Sequence, residues 1–587
     1  MKPLPHWKRS WPDDTEDLPV DILPASNGEY VPRTPSRRER EIMALANSET
    51  ERWRRKFGMS RRAFVKTAAA TAIGFWAIDM LGDTRWGHYA TAHNTDTTDA
   101  CDLEWAGRGG LETLSNLEGE FIFDVQSHHV DPDGLWRVTN PAIEAFFAAL
   151  WPQASPVLGG QPEVRPDGTI RGGGAGEVDP IANLSRYHYM KELYLDSATT
   201  MTVLSAVPTA PDINQPLPIA EAATTVHVVN DMAKSQRCVM HAFVMPNRGS
   251  AGQYSSKAKF KPVFLDEELA LMMERAKLYR GFLRGWKTYC PWGDIPYASG
   301  WFLDDQEIGQ PFIDQVRKIS KAVPEIPPVI ATHKGFALPG FDQSAAAPRD
   351  VGSAARQNPD VVFLAYHSGH DILEPPQKAY AGDANVNSSN RTVDSLIKAL
   401  RENNWDATRF VKPGKKFGNC PNVYAELGSV WRDYMADPSS CAHLLGKLIT
   451  YVGPKRVAWG TDSLWYGSPQ KEIVALRRFE FSQEAKDFYN LPYGLEGDVE
   501  DPTKPAPKKA RTIRNAILGR NAAAAYRIDP DAHRNALSCD AVQGVRETYV
   551  TDPLTQKESS PLRTNAMSGP RTRRELFAML KAKPWGP

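Results

Sequence analysis

The chain has 587 residues, of which 41% are hydrophobic and 24% charged, a composition typical of a folded protein with a sizeable core. Lys plus Arg and Asp plus Glu both total 70, so the formal net charge is zero and no broad basic surface is available for a nucleic acid. The six cysteines are scattered without a Cys-x-x-Cys pair, which argues against a zinc knuckle and predicts mostly free, buried thiols.

The first distinctive segment, residues 60–66, reads Ser-Arg-Arg-Ala-Phe-Val-Lys and precedes a moderately apolar stretch. It resembles a twin-arginine export signal in which Arg61 and Arg62 are the paired arginines. Ala90-Thr91-Ala92 offers a cleavage site of the A-x-A type. We therefore expect residues 1–92 to be a polar N-terminal region with a signal peptide, and the protein to be exported to the periplasm by the twin-arginine machinery.

Two features of this segment leave alternatives open. The motif lies far from Met1, so either the region before it is unusually long or translation starts at Met59. The apolar stretch is interrupted by Asp79, whereas a membrane span needs about 20 apolar residues, so we expect no permanent span. An ordinary amphipathic helix containing Arg-Arg is the alternative to a signal.

From about residue 119 onward, short β-branched and aromatic runs alternate with longer helical patterns, which is typical of βα units. Eight such strands favour a closed (β/α)8 TIM barrel over an open doubly wound sheet. The predicted strands are 120–125, 199–207, 238–245, 282–289, 328–333, 361–367, 422–427 and 456–462. The predicted helices are 141–151, 219–235, 265–279, 304–322, 392–403 and 439–451.

We assign residues 93–529 to the barrel and 530–587 to a polar C-terminal tail that wraps the barrel or is partly disordered. Long connections rich in Gly and Pro follow several strands and are expected to shape a substrate pocket. These connections are 153–180, 246–262, 290–303, 371–391 and 492–509.

Reactive side chains fall at or near the carboxyl ends of the predicted strands. Because strand side chains alternate, Gln126 and His128 point to one side and Ser127 and His129 to the other. Imidazole and carboxylate groups that converge on one barrel mouth suit Zn²⁺ or a similar divalent ion with an open position for water. The strand-end set is Gln126, His128, Lys287, His333, His367, Glu426 and Asp462.

Over residues 119–528 the chain resembles the amidohydrolase-related metal-dependent hydrolases, in particular the branch with decarboxylases of aminocarboxymuconate-semialdehyde type. The order of several short motifs along the expected strands carries the resemblance. The motifs are Phe-Asp-Val-Gln-Ser-His-His at 123–129, Ala-Thr-His-Lys-Gly at 331–335, Ala-Tyr-His-Ser-Gly-His at 365–370, Trp-Gly-Thr-Asp-Ser at 459–463 and the closing segment 517–526.

The resemblance implies that His128, His333 and Asp462 bind one divalent metal ion, with Zn first and Mn or Fe as alternatives. It also implies that His367 acts on the substrate or the metal-bound water, and that Asp462 serves as a general base. The departure is Gln126, because the family usually offers His-x-His on this strand. A glutamine amide oxygen is a weaker, neutral ligand, so metal affinity and identity depend on this position.

Four further residues are candidate substrate contacts, namely Lys287, His370, Glu426 and Trp292. Lys287 either contacts a substrate carboxylate, forms a salt bridge to Glu426 or, once carboxylated, bridges two metals. His370 is either a pocket residue or solvated. Trp292 belongs to an aromatic run that either walls an apolar pocket or serves plain packing.

The leading hypothesis is a hydrolase that uses a metal-activated water on an amide, lactone or ester of a small molecule. A metal-dependent, non-oxidative decarboxylase is the first alternative. A catalytically silent periplasmic barrel that binds a ligand is the second, and Gln126 is the reason to consider it. The sequence leaves the substrate and the oligomeric state open.

Overall fold

The structure is a computed structural model that describes most of the region assigned to the barrel and part of the N-terminal region and the tail. The predicted helix over 141–151 and most of the predicted long connections lie outside the described residues. The described residues are 18–24, 33–65, 67–90, 120–139, 163–164, 170–171, 181, 184–207, 215–248, 264–292, 300–337, 342–372, 391–403, 417 and 420–551.

The strands in these ranges are numbered β1 to β12 along the chain. They are β1 (Gly87–Tyr89), β2 (Phe123–Ser127), β3 (Glu163–Val164), β4 (Ile170–Arg171), β5 (Met201–Leu204), β6 (Cys238–Phe243), β7 (Leu283–Tyr289), β8 (Val329–His333), β9 (Val362–Tyr366), β10 (Val423–Glu426), β11 (Val457–Ala458) and β12 (Phe479–Phe481).

Eight of these strands form one parallel sheet in the order β2, β5, β6, β7, β8, β9, β10, β11. The first and last strands meet through a parallel bridge between Ser127 and Ser463, and the Val125 N–H donates to the Trp459 carbonyl at 3.1 Å. The eight predicted strands and the predicted (β/α)8 barrel are therefore confirmed. The remaining strands form two small antiparallel pairs, β1 with β12 and β3 with β4.

Helices surround the sheet. Those that match predicted ones are Ile219–Ala233, Leu265–Leu278, Gly309–Ala322, Val393–Glu402 and Pro438–Lys447, the last continuing as the π-helical turn Leu448–Val452. The others are Arg37–Lys56, Arg61–Val65, Ala68–Leu81, Trp136–Thr139, Arg186–Met190, Lys191–Leu195, Gln343–Ala346, Arg349–Gln357, His367–Gly369, Val430–Tyr434, Gln470–Arg478, Gln483–Tyr489, Gly494–Glu496, Lys509–Arg511, Ile513–Asn515, Ala516–Arg520, Asn521–Ala525, Pro530–Ala536, Leu537–Cys539 and Ala541–Thr551.

The barrel interior is filled from one end by apolar side chains. Phe123, Val203, Val239 and Leu364 pack together there with Tyr526, which follows the helix Asn521–Ala525. The register of β2 against β5 shifts between Asp124 and Ser127. Such an irregularity changes which face successive residues occupy, so Val125 joins the apolar interior while Gln126 reaches the polar groups above it.

The N-terminal region packs on the barrel. Leu18, Val20, Ile22, Phe75 and Ile78 are each at most 2% exposed and belong to the same apolar cluster as the barrel helices. No helix among the described residues is both long enough and apolar enough to cross a membrane.

The described part of the C-terminal tail also packs on the barrel. Arg237 pairs with Asp540 at 3.1 Å, and Arg546 donates from Nε to the Ser197 carbonyl at 2.8 Å. The sequence pattern predicts little regular structure beyond residue 530, whereas the structure has helices at Pro530–Ala536 and Ala541–Thr551. These contacts agree with a tail that wraps the barrel.

The cysteines largely follow the expectation from the sequence. Cys238, Cys290, Cys420 and Cys441 are free and buried, and Cys539 is free but exposed. Cys101 lies outside the described residues.

One carboxyl group in the N-terminal region predicts a pH dependence of stability. Burial raises the pKa of Asp79 to about 7, although both of its oxygens accept the Tyr89 N–H at 3.1 Å. An unfolded Asp has a pKa of about 3.9, so the folded chain binds more protons between these values. The free energy of unfolding should therefore fall as the pH rises from about 4 to about 7.

Asp79→Asn should reduce the fall in melting temperature between pH 5 and pH 8, as followed by circular dichroism. Asp487→Asn, at an exposed helical position, is the matched control and should leave the fall unchanged. An equal fall in wild type and Asp79→Asn would contradict the assignment.

Candidate metal-binding active site

The carboxyl ends of four barrel strands bring one carboxylate and three imidazoles together. His128 Nε2 lies 3.3 Å from Asp462 Oδ1, and His333 Nδ1 lies 3.3 Å from His367 Nε2. Each of the four residues is at most 1% exposed. The structure thus brings the predicted strand-end histidines and Asp462 into one buried cluster, which we call the His-Asp cluster.

The second nitrogen of each ring bonds to a backbone carbonyl. The contacts are His128 Nδ1 to Ser205, His333 Nε2 to Phe336 and His367 Nδ1 to Gly428, each at 2.8 Å. A carbonyl only accepts, so the ring proton of each histidine lies on the nitrogen that faces it.

The protonation of two of these rings follows from burial. Burial lowers the pKa of His367 to about 4 and the pKa of His333 well below 6.5, so both rings are neutral at pH 7. With their protons held by carbonyls, His333 Nδ1 and His367 Nε2 face each other as two lone pairs. Such a contact is unfavourable unless a cation or a proton donor lies beside it.

Asp462 is the anionic member of the cluster. Its Oδ2 accepts a hydrogen bond from Ser429 Oγ at 2.7 Å, and Tyr466 donates to Ser429 Oγ at 3.1 Å. Burial alone would raise the pKa of Asp462, but the contact with His128 and the hydrogen bond from the Ser429 hydroxyl outweigh it, and the pKa lies below its ordinary value. The carboxylate is therefore ionised, with Oδ1 directed at the histidines.

Gln126 lies between the two close pairs. Its Nε2 donates to Asp462 Oδ1 at 2.9 Å and lies 3.4 Å from His367 Nε2. Its Oε1 is buried without a hydrogen-bond partner among the described residues. Among the described residues, no group of three or more His, Cys, Asp or Glu side chains is arranged to hold a metal ion.

The chemistry of the donor set nevertheless fits a divalent cation. Imidazole nitrogens and an ionised carboxylate are the ligands that Zn²⁺ takes in proteins, and His128, His333 and Asp462 supply both kinds here. Metal-binding histidines typically donate their other N–H to a carbonyl, as all three do here. A half-turn of the Gln126 amide, whose two ends have nearly the same shape, would direct the unpartnered Oε1 at the cluster.

The backbone around the cluster is strained. His367, Ser368, Ser429 and Asp462 have φ values of 58°, 51°, 60° and 62°, in the left-handed region that non-glycine residues rarely occupy. They follow the neighbouring strands β9, β10 and β11. Strain of this kind persists only where surrounding contacts hold it, and it concentrates at functional sites.

Glu426 provides some of the contacts that stabilise this strained backbone. Its carboxylate accepts the backbone N–H groups of His367, at 2.9 Å, and of Gly428. Burial raises its pKa well above the ordinary value. The expected partner Lys287 instead has its ammonium 4.2 Å and 3.7 Å from the ring centres of Tyr289 and Tyr366. These contacts make Glu426 a support for the His367 loop.

Aromatic rings form a wall beside His333. Trp292 is stacked on Tyr289 at 4.5 Å between ring centres and on His333 at 5.2 Å, and Phe336 meets His333 edge-on at 4.7 Å. Phe243 extends the wall. The predicted pocket residue Trp292 therefore lies next to the His-Asp cluster.

Two other predicted positions bond away from the cluster. His370 Nε2 bonds to the Tyr434 hydroxyl at 2.7 Å, and burial lowers its pKa to about 3. His129 bonds to Thr225 Oγ1 at 2.9 Å, which agrees with the alternation expected from the sequence. In the signal-like segment, Arg61 bonds to Glu51 at 3.0 Å, and the side chain of Arg62 lies outside the description.

Sequence reasoning missed Ser429 and Tyr466. Both follow strand ends on loops, and neither hydroxyl belongs to a motif that distinguishes it from other serines and tyrosines. Only the folded chain shows that they bond in series to Asp462.

No family model and no curated protein matches the sequence. Solved structures that resemble the chain include 5-carboxyvanillate decarboxylase from Sphingomonas paucimobilis, at 13% identity, covering 70% of this chain and 99% of that one, with a TM-score of 0.33. A second is 2,6-dihydroxybenzoate decarboxylase from Rhizobium, at 12% identity, covering 70% of this chain and 99% of that one, with a TM-score of 0.33. A third is an amidohydrolase from Burkholderia multivorans with bound zinc, at 15% identity, covering 70% of this chain and 100% of that one, with a TM-score of 0.32. Similarities of this size carry no argument about the activity of this chain.

Close packing at Gly460 gives a test of the site. A Cβ at Gly460 would lie 1.8 Å from Glu426 Oε1, whereas one at Gly281 would meet nothing within 4 Å. Gly460→Ala should displace Glu426 and lower the free energy of unfolding by about 1–3 kcal/mol, the cost of overpacking. Gly281→Ala is the matched control, and urea denaturation measures both. Equal stability of the two variants would show that the carboxylate is not held where the structure places it.

Proposed function

We propose that the protein is a metal-dependent hydrolase of amidohydrolase type that acts on an amide, lactone or ester of a small molecule. The observation that carries the proposal is the set of three buried imidazoles whose outer N–H groups are all tied to carbonyls beside an ionised aspartate. Lone pairs gathered in this way favour a cation beside them. The resemblance of the strand-end motifs to metal-dependent hydrolases supports the same conclusion.

In this proposal His128, His333 and Asp462 hold one divalent ion, with zinc as the first choice, and Gln126 contributes its amide oxygen after a half-turn. A bound ion of this kind polarises a substrate carbonyl and lowers the pKa of water. A catalytic site needs only three protein ligands, so Gln126 is not essential to it.

The remaining chemistry belongs to the chain. Asp462 accepts the proton of the attacking water at Oδ1, while the Ser429 hydroxyl keeps Oδ2 turned away from the substrate. His367 Nε2 accepts a hydrogen bond from the water or the substrate, and the carbonyl of Gly428 keeps its ring in place. The wall of Tyr289, Trp292 and Phe336 excludes bulk water on the side of His333.

The aromatic wall favours a second candidate, a metal-dependent, non-oxidative decarboxylase of a ring-bound carboxylate. Stacked aromatic rings offer a flat apolar face for a planar ring. Lys287, buried beside Tyr289, would supply positive charge for the carboxylate.

Export stays a proposal as well. The motif at residues 60–66 supports translocation to the periplasm by the twin-arginine machinery, a pathway that carries folded proteins and would let the metal load beforehand.

Metal content tests the site directly. Wild type purified from zinc-supplemented cells should hold about one equivalent of metal, because the proposed ligands His128, His333 and Asp462 form one site. His128→Ala and Asp462→Asn should hold almost none. His443→Ala is the matched control, since His443 is buried but bonds to Tyr489. Elemental analysis after dialysis gives the answer, and metal-free wild type would favour the silent ligand-binding barrel.

Turnover separates the two reactions. Asp462→Asn should lower kcat/KM by at least about 10²–10⁴-fold, because the variant loses the general base and the metal ligand together while it stays folded. In ¹⁸O-labelled water a hydrolase places label in the product acid, whereas in D₂O a decarboxylase places deuterium on the product carbon. Mass spectrometry of the product distinguishes the outcomes. Unchanged turnover in Asp462→Asn would rule out its proposed role.

A further inference from the structure

The segment that resembles an export signal is packed into the fold. Val20 lies against the helix Ala68–Leu81 so closely that a Cβ at Gly74 would lie 2.8 Å from Val20 Cγ2. Phe75 of that helix meets Tyr89 with 4.5 Å between ring centres, and both are 1% exposed. Cleavage after Ala92 would remove all of these side chains and uncover their apolar partners on the barrel.

Polar contacts join the same segment to the barrel. β1 pairs with β12, and the Tyr89 hydroxyl donates to the Met435 carbonyl. Arg85 Nε donates to both oxygens of Glu484 at 2.9 and 3.0 Å. A transient leader has no need of so many specific contacts with the protein it leaves.

One of these contacts continues to the His-Asp cluster. Asp21 Oδ2 lies 3.1 Å from Arg432 Nη2, and Asp21 Oδ1 lies 3.0 Å from Lys471 Nζ. The Arg432 guanidinium lies 4.2 Å from the ring centre of Tyr466, whose hydroxyl donates to Ser429. Ser429 in turn donates to Asp462 Oδ2 at 2.7 Å.

Each side chain in this series restricts the position of the next one. The Asp21 carboxylate holds Arg432 over the Tyr466 ring, where the cation is attracted to the ring face. A fixed ring fixes its hydroxyl, which donates to Ser429 and leaves the serine proton for Asp462. Ser429 has a φ of 60°, so its position depends on such contacts.

We infer that residues 18–90 stay attached as a permanent part of the functional protein, and that Asp21 is a positioning residue for Asp462 acting through Arg432, Tyr466 and Ser429. The second half of this inference rests on the proposed function, because it gives Asp462 a role in catalysis. The first half does not, and it holds in whichever compartment the protein works.

Retention is tested on the full chain. Intact-mass measurement of the protein purified from its native host should find residues 18–90 present. A specific protease site inserted at residue 105, which lies outside the described residues, lets the chain be cut there after folding. The N-terminal fragment should then co-elute with the barrel in size-exclusion chromatography, with the melting temperature unchanged. A native chain that starts at residue 93, or a fragment that elutes separately, would overturn retention.

Positioning is tested with Asp21→Asn, Tyr466→Phe and their double variant. Asp21→Asn should lower kcat by about 2- to 30-fold, with KM and metal content unchanged, because the residue touches neither substrate nor metal. The double variant should be no slower than the slower single variant, since both interrupt one series. Glu41→Gln, at an exposed helical position paired only with Arg37 in the described contacts, is the matched control.

Failure of this inference differs from failure of the proposed function. If wild type turns over no substrate and binds no metal, the proposed function fails, yet the melting temperatures of the same variants still report the coupling. If the double variant loses less melting temperature than the sum of the losses in Asp21→Asn and Tyr466→Phe, the result supports the series of contacts from Asp21 to Asp462. The series is overturned if the losses of melting temperature in the two single variants add in the double variant. It is also overturned if Asp21→Asn has the same kcat and melting temperature as Glu41→Gln.

Discussion

The closing of the barrel between its first and last strands is the contact on which the site depends. The Asp462 N–H donates to the Gln126 carbonyl at 2.9 Å, and the His128 N–H donates to the Ser463 carbonyl at 2.6 Å. These two backbone hydrogen bonds place residues more than 300 positions apart side by side. Because strand ends of a parallel barrel share one mouth, closure brings the β2 side chains to Asp462 and completes a ring in which β8 and β9 supply His333 and His367.

The cluster formed by that closure has an excess of hydrogen-bond acceptors. Backbone carbonyls hold the protons of the rings, burial keeps His333 and His367 neutral, and Asp462 is ionised. Gln126 donates to Asp462 from its amide nitrogen, while its amide oxygen is buried and has no hydrogen-bond partner among the described residues. A buried polar atom without a partner costs free energy, so the arrangement favours a ligand that the oxygen can face. The hydrogen bonds that orient the side chains of His367, Ser429 and Asp462 also stabilise the left-handed backbone at these residues.

Segments outside the barrel proper extend this network. The N-terminal region and the described part of the tail both cover barrel helices, and the former reaches the site through a series of hydrogen bonds and one cation–ring contact. A large barrel exposes apolar helix faces that such segments cover.

The spacing of hydrophobic residues along the sequence was enough to predict the eight parallel strands. It also placed His128, His333, His367 and Asp462 at strand ends. Both follow because side-chain alternation and the spacing of strands and helices are local properties of the chain. The face occupied by His129 followed in the same way. Only the tertiary structure decided which nitrogen of each ring faces the cluster, where Glu426 and Lys287 direct their charges, and that Ser429 and Tyr466 belong to the site. It also decided that a polar, signal-like segment lies against the barrel. These features depend on contacts between residues distant in sequence, and on burial, which no local pattern specifies.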